Sequence, residues 1–236
     1  MQDLRFGVIV FPGSNCDDDI VHVLGEVCGV SVEKIWHKSH HLPDLNGIFL
    51  PGGFSYGDYL RSGAIAKYAN IMPEVTRFAQ NGGFVWGICN GFQILCESGL
   101  LPGVLLPNRD QKFICENVYI KTVCTDSIIS SELNKGQLLK IPMAHADGRY
   151  HADHQTIQGL INNDQIIFKY ADEHGNLNDA GNLNGSLENI AGICNIQRNV
   201  YGMMPHPERA SEEILGNTDG LIMFKSMLKH FEAVAV

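Results

Sequence analysis

The chain has 236 residues, of which 44% are hydrophobic and 18% are charged. This composition is typical of a globular protein, and no apolar run reaches the ~20 residues that span a bilayer. The first residues lack the charged and apolar regions of a secretory signal, so we expect neither export nor a membrane partner. Seventeen Lys and Arg against 26 Asp and Glu give a net charge of −9, which disfavours binding to nucleic acid.

Seven cysteines, an odd number, are scattered along the chain. They lie at positions 16, 28, 89, 96, 115, 124 and 194. None of them forms a C-x-x-C pair, which disfavours both a secreted disulfide scaffold and a structural zinc site. We therefore expect a cytoplasmic protein with reduced thiols and no metal site.

The first half of the chain alternates between predicted strands and predicted helices. The strands are short and apolar, each runs into glycine or Pro-Gly, and they are predicted at 4–11, 47–50 and 84–86. The helices are predicted at 17–29, from near 73 to 82, and directly after residue 89. This alternation predicts an α/β fold, in which helices flank a mostly parallel central sheet.

The second half is predicted to add a region of strands and hairpins. Its strands are predicted at 117–125, 165–171 and 190–204, with a hairpin tip at 197–199. The last helix is predicted from Asp219 to Phe231, with Thr218 as its cap. Its buried stripe is predicted to consist of Leu221, Phe224, Leu228 and Phe231. Because no repeat or linker divides the chain, we expect a single domain over residues 3–234.

The most informative motif is Gly-Ile-Cys-Asn-Gly at 87–91, between a predicted strand and a predicted helix. It is the thiol form of a nucleophile elbow, a sharp turn that exposes the side chain at its apex. Gly87 and Gly91 stand where side chains would collide. The helix N-terminus would stabilise a thiolate at Cys89. We predict Cys89 as a nucleophile, although a small buried hydrophobic residue is the usual role of a cysteine.

An oxyanion hole is predicted from the positions of two turns. The N–H of Asn90, directly after the nucleophile, would point toward a developing oxyanion. The second N–H would come from the Gly52-Gly53 turn that follows the neighbouring strand.

A candidate base follows in the sequence Pro-His-Pro-Glu at 205–208. Pro207 forces His206 into an extended conformation, in which residues two apart point the same way. Glu208 can therefore orient the His206 ring, as the third member of a triad. A surface loop with unrelated polar residues is the alternative. His145, in a polar loop that contains glycine, is a further candidate functional residue.

These motifs resemble those of the class I glutamine amidotransferases, which have a flavodoxin-like fold. The resemblance rests on Pro-Gly-Gly at 51–53, the elbow at 87–93 and Pro-His-Pro-Glu at 205–208. A narrower resemblance is to the glutaminase subunits of purine biosynthesis. It rests on blocks that cover the chain almost end to end, at 11–17, 52–61, 108–115, 141–145 and 184–202.

The resemblance implies a glutaminase that converts L-glutamine to glutamate and ammonia. It implies that Cys89 attacks the amide, and that His206, oriented by Glu208, transfers protons. It implies that the N–H groups of Gly53 and Asn90 form the oxyanion hole. The residues implied to contact glutamine are Gly52, Phe54, Gln93, Asn108 and Phe113. Where the subfamily usually has Glu in the loop after His145, this chain has Asp147.

Partners are implied as well. The chain lacks a G-x-x-x-x-G-K-[ST] phosphate loop, although amidation of an amide carbonyl requires activation. The resemblance therefore implies no cofactor in this chain, a large synthetase subunit that uses ATP and Mg, and a small bridging subunit. The synthetase would use the ammonia to convert formylglycinamide ribonucleotide to formylglycinamidine ribonucleotide in de novo purine biosynthesis. We expect the docking surface around the mouth of the active site, including residues 56–61 and the His145 loop.

Three other functions stay open from the residues alone. The chain could supply ammonia to a different acceptor, or act alone as a thiol hydrolase of peptides or γ-glutamyl compounds. It could also be a non-catalytic regulatory module on the same fold. The block at 54–66 favours the purine subfamily, and the intact set of Cys89, His206 and Glu208 argues against a loss of catalysis.

Overall fold

The computed structural model describes residues 4–234, so residue 3, the predicted start of the domain, lies outside the described part. The strands are β1 (Arg5–Val10), β2 (Ser31–Trp36), β3 (Gly47–Leu50), β4 (Phe84–Ile88), β5 (Val104–Leu106), β6 (Ile114–Thr122), β7 (Leu138–His145), β8 (Arg149–His151), β9 (Ile166–Ala171), β10 (Ile190–Cys194) and β11 (Val200–Met203). The α-helices are α1 (Asp17–His22), α2 (Met72–Gln80), α3 (Asn90–Glu97), α4 (His154–Asn162) and α5 (Leu221–Val234).

One nine-stranded sheet has the order β2-β1-β3-β4-β11-β10-β9-β6-β7, and β5 pairs with β8 in a small second sheet. From β2 to β11 the neighbouring strands are parallel. From β11 to β7 each neighbouring pair is antiparallel. The predicted α/β class is confirmed, and the antiparallel part of this mixed sheet is larger than the predicted hairpin region.

Helices cover both faces of the parallel part. Phe224 of α5 packs on Phe49 and Trp86, with ring centroids 6.3 and 5.2 Å away. On the other face, Gly202 of β11 leaves room for the Phe92 ring of α3, with which a Cβ at Gly202 would collide. Burial on both faces explains why these strands are almost continuously apolar. Within the described residues, none of the helices is both long and apolar enough to cross a membrane.

Several predicted elements have different boundaries. The predicted helix 17–29 is a short α-helix that continues as a π-helical turn over Val23–Val27. The last helix begins at Leu221, whose N–H donates to the main-chain carbonyl of Thr218 at 3.1 Å. Its most deeply buried apolar residues are Met223, Phe224 and Met227, whereas Leu228 and Phe231 are only partly buried.

Five of the strands and α-helices have no counterpart in the prediction: β2, β5, β7, β8 and α4. Strands β2 and β7 lie at the two edges of the sheet, where one side of a strand has no partner. Pro142 interrupts the sequence pattern of β7, and an edge position tolerates its missing N–H. The helix α4 follows Asp153, whose side chain accepts a hydrogen bond from the Thr156 N–H at 2.7 Å. That N-cap is the local signal that could have predicted the helix.

Candidate active site

Cys89 joins β4 to α3 in a strained backbone conformation, with φ +52° and ψ −107°. Positive φ is unfavourable for a residue with a side chain and is tolerated only where the surroundings enforce it. A Cβ on Gly91 would collide with the carbonyl of Leu50 on β3, and one on Gly87 would lie 2.6 Å from the backbone of Gly91. The two glycines therefore permit the close approach of backbones that forms the elbow, as the motif predicts.

The Cys89 thiol is 4% exposed and lies 3.7 Å from the carbonyl oxygen of Ala144, near the end of β7. Asn90 is the first residue of α3, so its N–H has no acceptor within the helix. The Asn90 side chain accepts a hydrogen bond from the Ser55 N–H at 3.1 Å and donates one to Gln93 at 2.8 Å. The turn after β3 is thereby fixed against the elbow.

His206 follows β11, and its ring lies in the same cavity as Cys89. Its Nδ1 is 2.6 Å from Oε1 of Glu208, and the two residues are 1% and 2% exposed. The main-chain N–H of His206 donates to the carbonyl of Pro142 at 2.7 Å, which ties this segment to β7. The predicted pairing of His206 with Glu208 is present, but its local cause differs from the prediction, because the backbone at His206 (φ −103°, ψ 88°) leads into a 3-10 turn over Pro207–Ala210 and not into an extended segment.

The electrostatics of the His206 ring favour its charged form. Burial opposes the charge, but the Glu208 carboxylate and then negative charge on the Cys89 sulfur outweigh it and raise the pKa of His206 well above its ordinary value. Nε2, the ring nitrogen not used by Glu208, has no hydrogen-bond partner among the described residues. The ring therefore has a free nitrogen for proton transfer, with Cys89 close enough to influence it.

Cys16 is a neighbour of the site that the sequence did not predict. It is 2% exposed, and its Sγ lies within 4.8 Å of ligand-type atoms of His206 and Glu208. Arg209 donates to its sulfur at 3.1 Å and to Asp19 at 3.0 Å. Burial, partly opposed by His206, raises the pKa of the Cys16 thiol, so the thiol form is favoured.

Three metal-type ligands meet here, but their partners do not suit a cation. The Glu208 oxygen nearest the ring is bonded to His206, and the Arg209 guanidinium already places a positive charge against Cys16.

The sequence signal that could have pointed to Cys16 is its place in the turn directly after β1. The carboxyl ends of β1 and β3 meet at one edge of the sheet, because the two strands are parallel neighbours.

A cavity of about 370 Å³ contains the candidate nucleophile and base. Four of the predicted oxyanion-hole and binding residues line it: Gly53, Phe54, Gln93 and Phe113. Residues that the sequence did not predict as part of the site also line it: Asn15, Cys16, Asp58, Ser62, Ala144, Ala146, Asp147 and Arg209. His145, the further candidate from sequence, completes the wall.

The predicted glutamine-contacting residues occupy different kinds of position. Phe54 and Phe113 lie at the rim, 53% and 65% exposed. Gln93 lines the cavity, but its amide is engaged, because it accepts from Asn90 and donates to the Asp147 carbonyl at 2.5 Å. Its structural role is therefore to connect α3 to the 145–148 loop.

Gly52 and Asn108 lie behind the cavity wall. A Cβ on Gly52 would lie 2.7 Å from the His206 ring and 2.9 Å from the Cys16 sulfur, so the glycine makes room for both. Asn108 is 2% exposed and donates to the carbonyls of Lys112 and His145, each at 2.9 Å, while accepting from the Gly148 N–H at 3.1 Å. These contacts assign Asn108 to the support of the 145–148 loop.

Comparison with known proteins agrees with this fold. A family model described as the CobB/CobQ-like glutamine amidotransferase domain matches residues 3–231, and the chain belongs to this family. A protein named phosphoribosylformylglycinamidine synthase subunit PurQ, from Koribacter versatilis, is 54% identical over 95% of this chain and 97% of its own length. One of the same name from Chlorobaculum parvum is 51% identical over 98% of this chain and 91% of its own length.

Among solved structures, a chain in the structure of PurLQS from Thermotoga maritima matches with a TM-score of 0.86 and 41% identity. The match covers 98% of this chain and all of that chain (100%). Within the glutamine amidotransferases, this chain therefore belongs to the group of proteins named PurQ. Both levels of the resemblance stated from sequence are confirmed.

Proposed function

We propose that this chain is the glutaminase subunit of phosphoribosylformylglycinamidine synthase, and that Cys89, His206 and Glu208 are its catalytic triad. The observation that carries the proposal is the meeting of a strained thiol elbow and a buried His–Glu pair in one cavity. Relatives named PurQ, at 51% and 54% identity over almost the whole chain, support the substrate and the pathway.

In the first half-reaction, the proton of the Cys89 thiol passes to His206, whose raised pKa favours the imidazolium–thiolate pair, and the thiolate attacks the side-chain amide carbon of L-glutamine. The resulting imidazolium gives its proton to the amide nitrogen. The carbon–nitrogen bond then breaks, ammonia leaves, and a glutamyl thioester remains on Cys89. In the second half-reaction, His206 takes a proton from water, and the hydroxide attacks the thioester. Glutamate leaves, and Cys89 regains a proton from His206.

Glu208 orients the base. Its bond to Nδ1 keeps a proton on that nitrogen and directs Nε2 to the reacting atoms, while its charge stabilises the imidazolium. This support is strong because the pair is buried, where charges are poorly screened by water.

The oxyanion hole of the proposal uses the N–H groups of Gly53 and Asn90. Gly53 has a φ of +143°, and a Cβ there would lie 2.5 Å from the Gly13 carbonyl. The bond from the Phe54 N–H to that carbonyl, at 2.9 Å, holds the turn in place. Donors fixed in advance stabilise a developing negative charge without reorganisation, which supports this assignment.

The proposed function includes partners. The similarity to a chain of PurLQS supports an assembly with a large synthetase subunit, which uses ATP and Mg, and a small bridging subunit. This synthetase would receive the ammonia and form formylglycinamidine ribonucleotide. Tyr59 and Leu60, 73% and 91% exposed beside the cavity-lining Asp58, support docking at residues 56–61.

We also propose that residues 3–234 act as one domain, and that the protein is cytoplasmic, in keeping with its odd number of cysteines.

Cys89→Ala tests the proposal in the reconstituted complex. We expect it to abolish glutamine-dependent synthesis and to leave ammonia-dependent synthesis intact, because the synthetase chemistry does not use this thiol. Cys28→Ala, which changes a half-buried thiol outside the cavity, is the matched control and should keep both activities. Equal loss of both activities in Cys89→Ala would contradict a role on the glutamine side alone.

Genetic complementation separates this function from its alternatives. In a strain that lacks the subunit, growth without added purines should be restored by the wild-type gene and not by Cys89→Ala. A requirement for tryptophan or a pyrimidine instead would indicate a different acceptor. Full glutaminase activity without any copurifying ATP-dependent partner would indicate a stand-alone hydrolase.

A further inference from the structure

The cavity has an acidic wall that the hydrolysis mechanism does not use. It consists of Asp58 and Asp147, and Ser62, which lies in the same loop as Asp58, lines the cavity with them. Ser62 donates its hydroxyl proton to Asp147 at 2.8 Å. One hydroxyl has only one proton to donate, so it cannot satisfy both carboxylates at once. The Asp58 Oδ1 atom is buried and lacks a hydrogen-bond partner among the described residues.

Nearby cations do not balance this wall. Arg61 pairs with Glu97, and Arg209 pairs with Asp19 and contacts Cys16. Burial and then the neighbouring Asp147 carboxylate raise the pKa of Asp58 to about 6. Two carboxylates therefore line the cavity close to each other, and one oxygen of Asp58 has no donor within the described residues.

His145 is a second group without a partner in the same wall. It is 4% exposed, and neither ring nitrogen has a hydrogen-bond partner in the described part of the chain. A Cβ on Gly148 would collide with the ring, so the ring packs directly on the backbone of its own loop. Burial and then His206 lower the pKa of His145 to about 3, so the ring is neutral at physiological pH.

Helix α3 connects the nucleophile to Asp147 of the acidic wall. Gln93 lies one turn of α3 beyond Cys89 and donates to the main-chain carbonyl of Asp147. One helical turn is about 5 Å along the axis. The carbon chain of glutamine spans a similar length between its reacting amide carbon and its α-nitrogen.

We propose that Asp58 and Asp147 form the subsite that binds the α-ammonium group of L-glutamine. The inference rests on the proposed function, which supplies the ligand. An ammonium group brings three N–H donors and a positive charge to a place with unpaired acceptors and two carboxylates. The subsite would select free glutamine over amides that lack the α-ammonium group.

The test compares two substrates in the reconstituted complex: L-glutamine and glutaramate, which is glutamine without its α-amino group. Asp58→Asn and Asp147→Asn remove one charge each with little change of shape. In each variant kcat/KM for L-glutamine should fall about 10-fold to 100-fold, mainly through KM, since a charged hydrogen bond is lost. The value for glutaramate should change less than about threefold, because that substrate never makes the contact. Asp44→Asn, an exposed aspartate outside the cavity, is the matched control and should change neither value.

Binding supplies a readout that does not depend on turnover. In a Cys89→Ser background, calorimetry should detect L-glutamine and show weaker binding when Asp58→Asn or Asp147→Asn is added. If one of the two aspartate variants does not assemble, the other carries the same test. Unchanged KM for L-glutamine in both variants, or equal losses for both substrates, would overturn the subsite and leave the proposed function standing. A wild-type complex that hydrolyses neither substrate would overturn the proposed function, and the subsite with it.

Discussion

The parallel and antiparallel parts of the large sheet contribute to the site in different ways. In the parallel part, β1, β3 and β4 all end at the same edge, and Cys89 comes directly after β4. Parallel neighbours bring their carboxyl ends together, so these residues are assembled by topology. In the antiparallel part, strand directions alternate. One segment there, β7 with the 145–148 loop, lines the cavity.

In the proposed site, the parallel part of the sheet carries the reacting groups, and the antiparallel part contributes to substrate binding. The proposed nucleophile, oxyanion hole and base follow strands β3, β4 and β11, all in the parallel part. His145 and Asp147 come from the antiparallel part, and in the proposed subsite Asp147 meets Asp58, which follows β3. We therefore expect changes near the parallel strand ends to lower kcat, and changes in the 145–148 loop to raise KM.

The largest effect is expected at the elbow of the parallel part. Gly91→Ala places a methyl group against the Leu50 carbonyl and must displace α3 or β3. We expect a loss of about 3 kcal/mol in the free energy of unfolding, measured by urea titration. Glutaminase activity should fall on the order of 10³-fold, because small displacements of a nucleophile are costly. The control Gly159→Ala, in an open position of α4, should stabilise the protein by about 0.5–1 kcal/mol. A fully active Gly91→Ala enzyme would remove the steric explanation of the elbow.

The next effect concerns the base. Glu208→Gln keeps the shape but removes the charge that raises the pKa of His206. We expect kcat to fall roughly 10²-fold, less than the loss in Cys89→Ala, because Glu208 orients and does not attack. NMR titration of the His206 ring should show a lower pKa. The matched control is Glu212→Gln, since Glu212 pairs with the half-exposed His22 at 2.7 Å outside the cavity. Unchanged kcat in Glu208→Gln would exclude this residue from the mechanism.

A smaller effect is expected in the antiparallel part. Asn108→Ala removes three side-chain hydrogen bonds, of which two, to His145 and Gly148, support the 145–148 loop. We expect the free energy of unfolding to fall by about 1–3 kcal/mol. KM for glutamine should rise, with kcat nearly unchanged. Phe113→Ala, in the same segment but 65% exposed, should alter the free energy of unfolding by less than about 0.5 kcal/mol. If Asn108→Ala lowers kcat and leaves KM unchanged, the division between the two parts of the sheet is wrong.

The smallest expected effect is a pH dependence of the free energy of unfolding, caused by Asp58, which lies where the two parts of the sheet meet. In the folded protein the pKa of Asp58 is about 6, whereas in the unfolded chain it is about 3.9. The folded state therefore binds this proton more tightly, and the contribution of Asp58 to stability is lost as pH rises from about 4 through about 6. Asp58→Asn, which does not titrate, should be about 1 kcal/mol more stable than wild type at pH 7.5, after allowance for solvent screening.

Below pH 4 this difference should vanish, because both proteins then carry an uncharged side chain at position 58. Urea titrations at a series of pH values measure it, with Asp44→Asn as a control that should show no such trend. A constant difference across the pH range would mean that the charge of Asp58 does not destabilise the free enzyme.

Sequence reasoning was most successful where the signal was local. The elbow at 87–91 and the pair His206 and Glu208 depend on neighbouring glycines, a proline and a two-residue spacing, all visible in the printed chain. Cys16 and Asp58 could not be chosen in this way. Each lies in a block that carries the family resemblance, at 11–17 and 52–61, but no local pattern marks either residue as part of the site, and each is brought to the cavity by the strand before it.

The amino-acid sequence by itself determined the α/β class, the sharp turn at Cys89 and the pairing of His206 with Glu208, because these features depend on residues that are close together in the chain. Only the tertiary structure decided that β7 forms an edge of the sheet and that Asp147 faces Asp58. It also decided that Asn108 supports a loop instead of lining the cavity. These placements depend on strand pairing across long stretches of chain, where many partners satisfy the same local pattern and packing of the whole selects one of them.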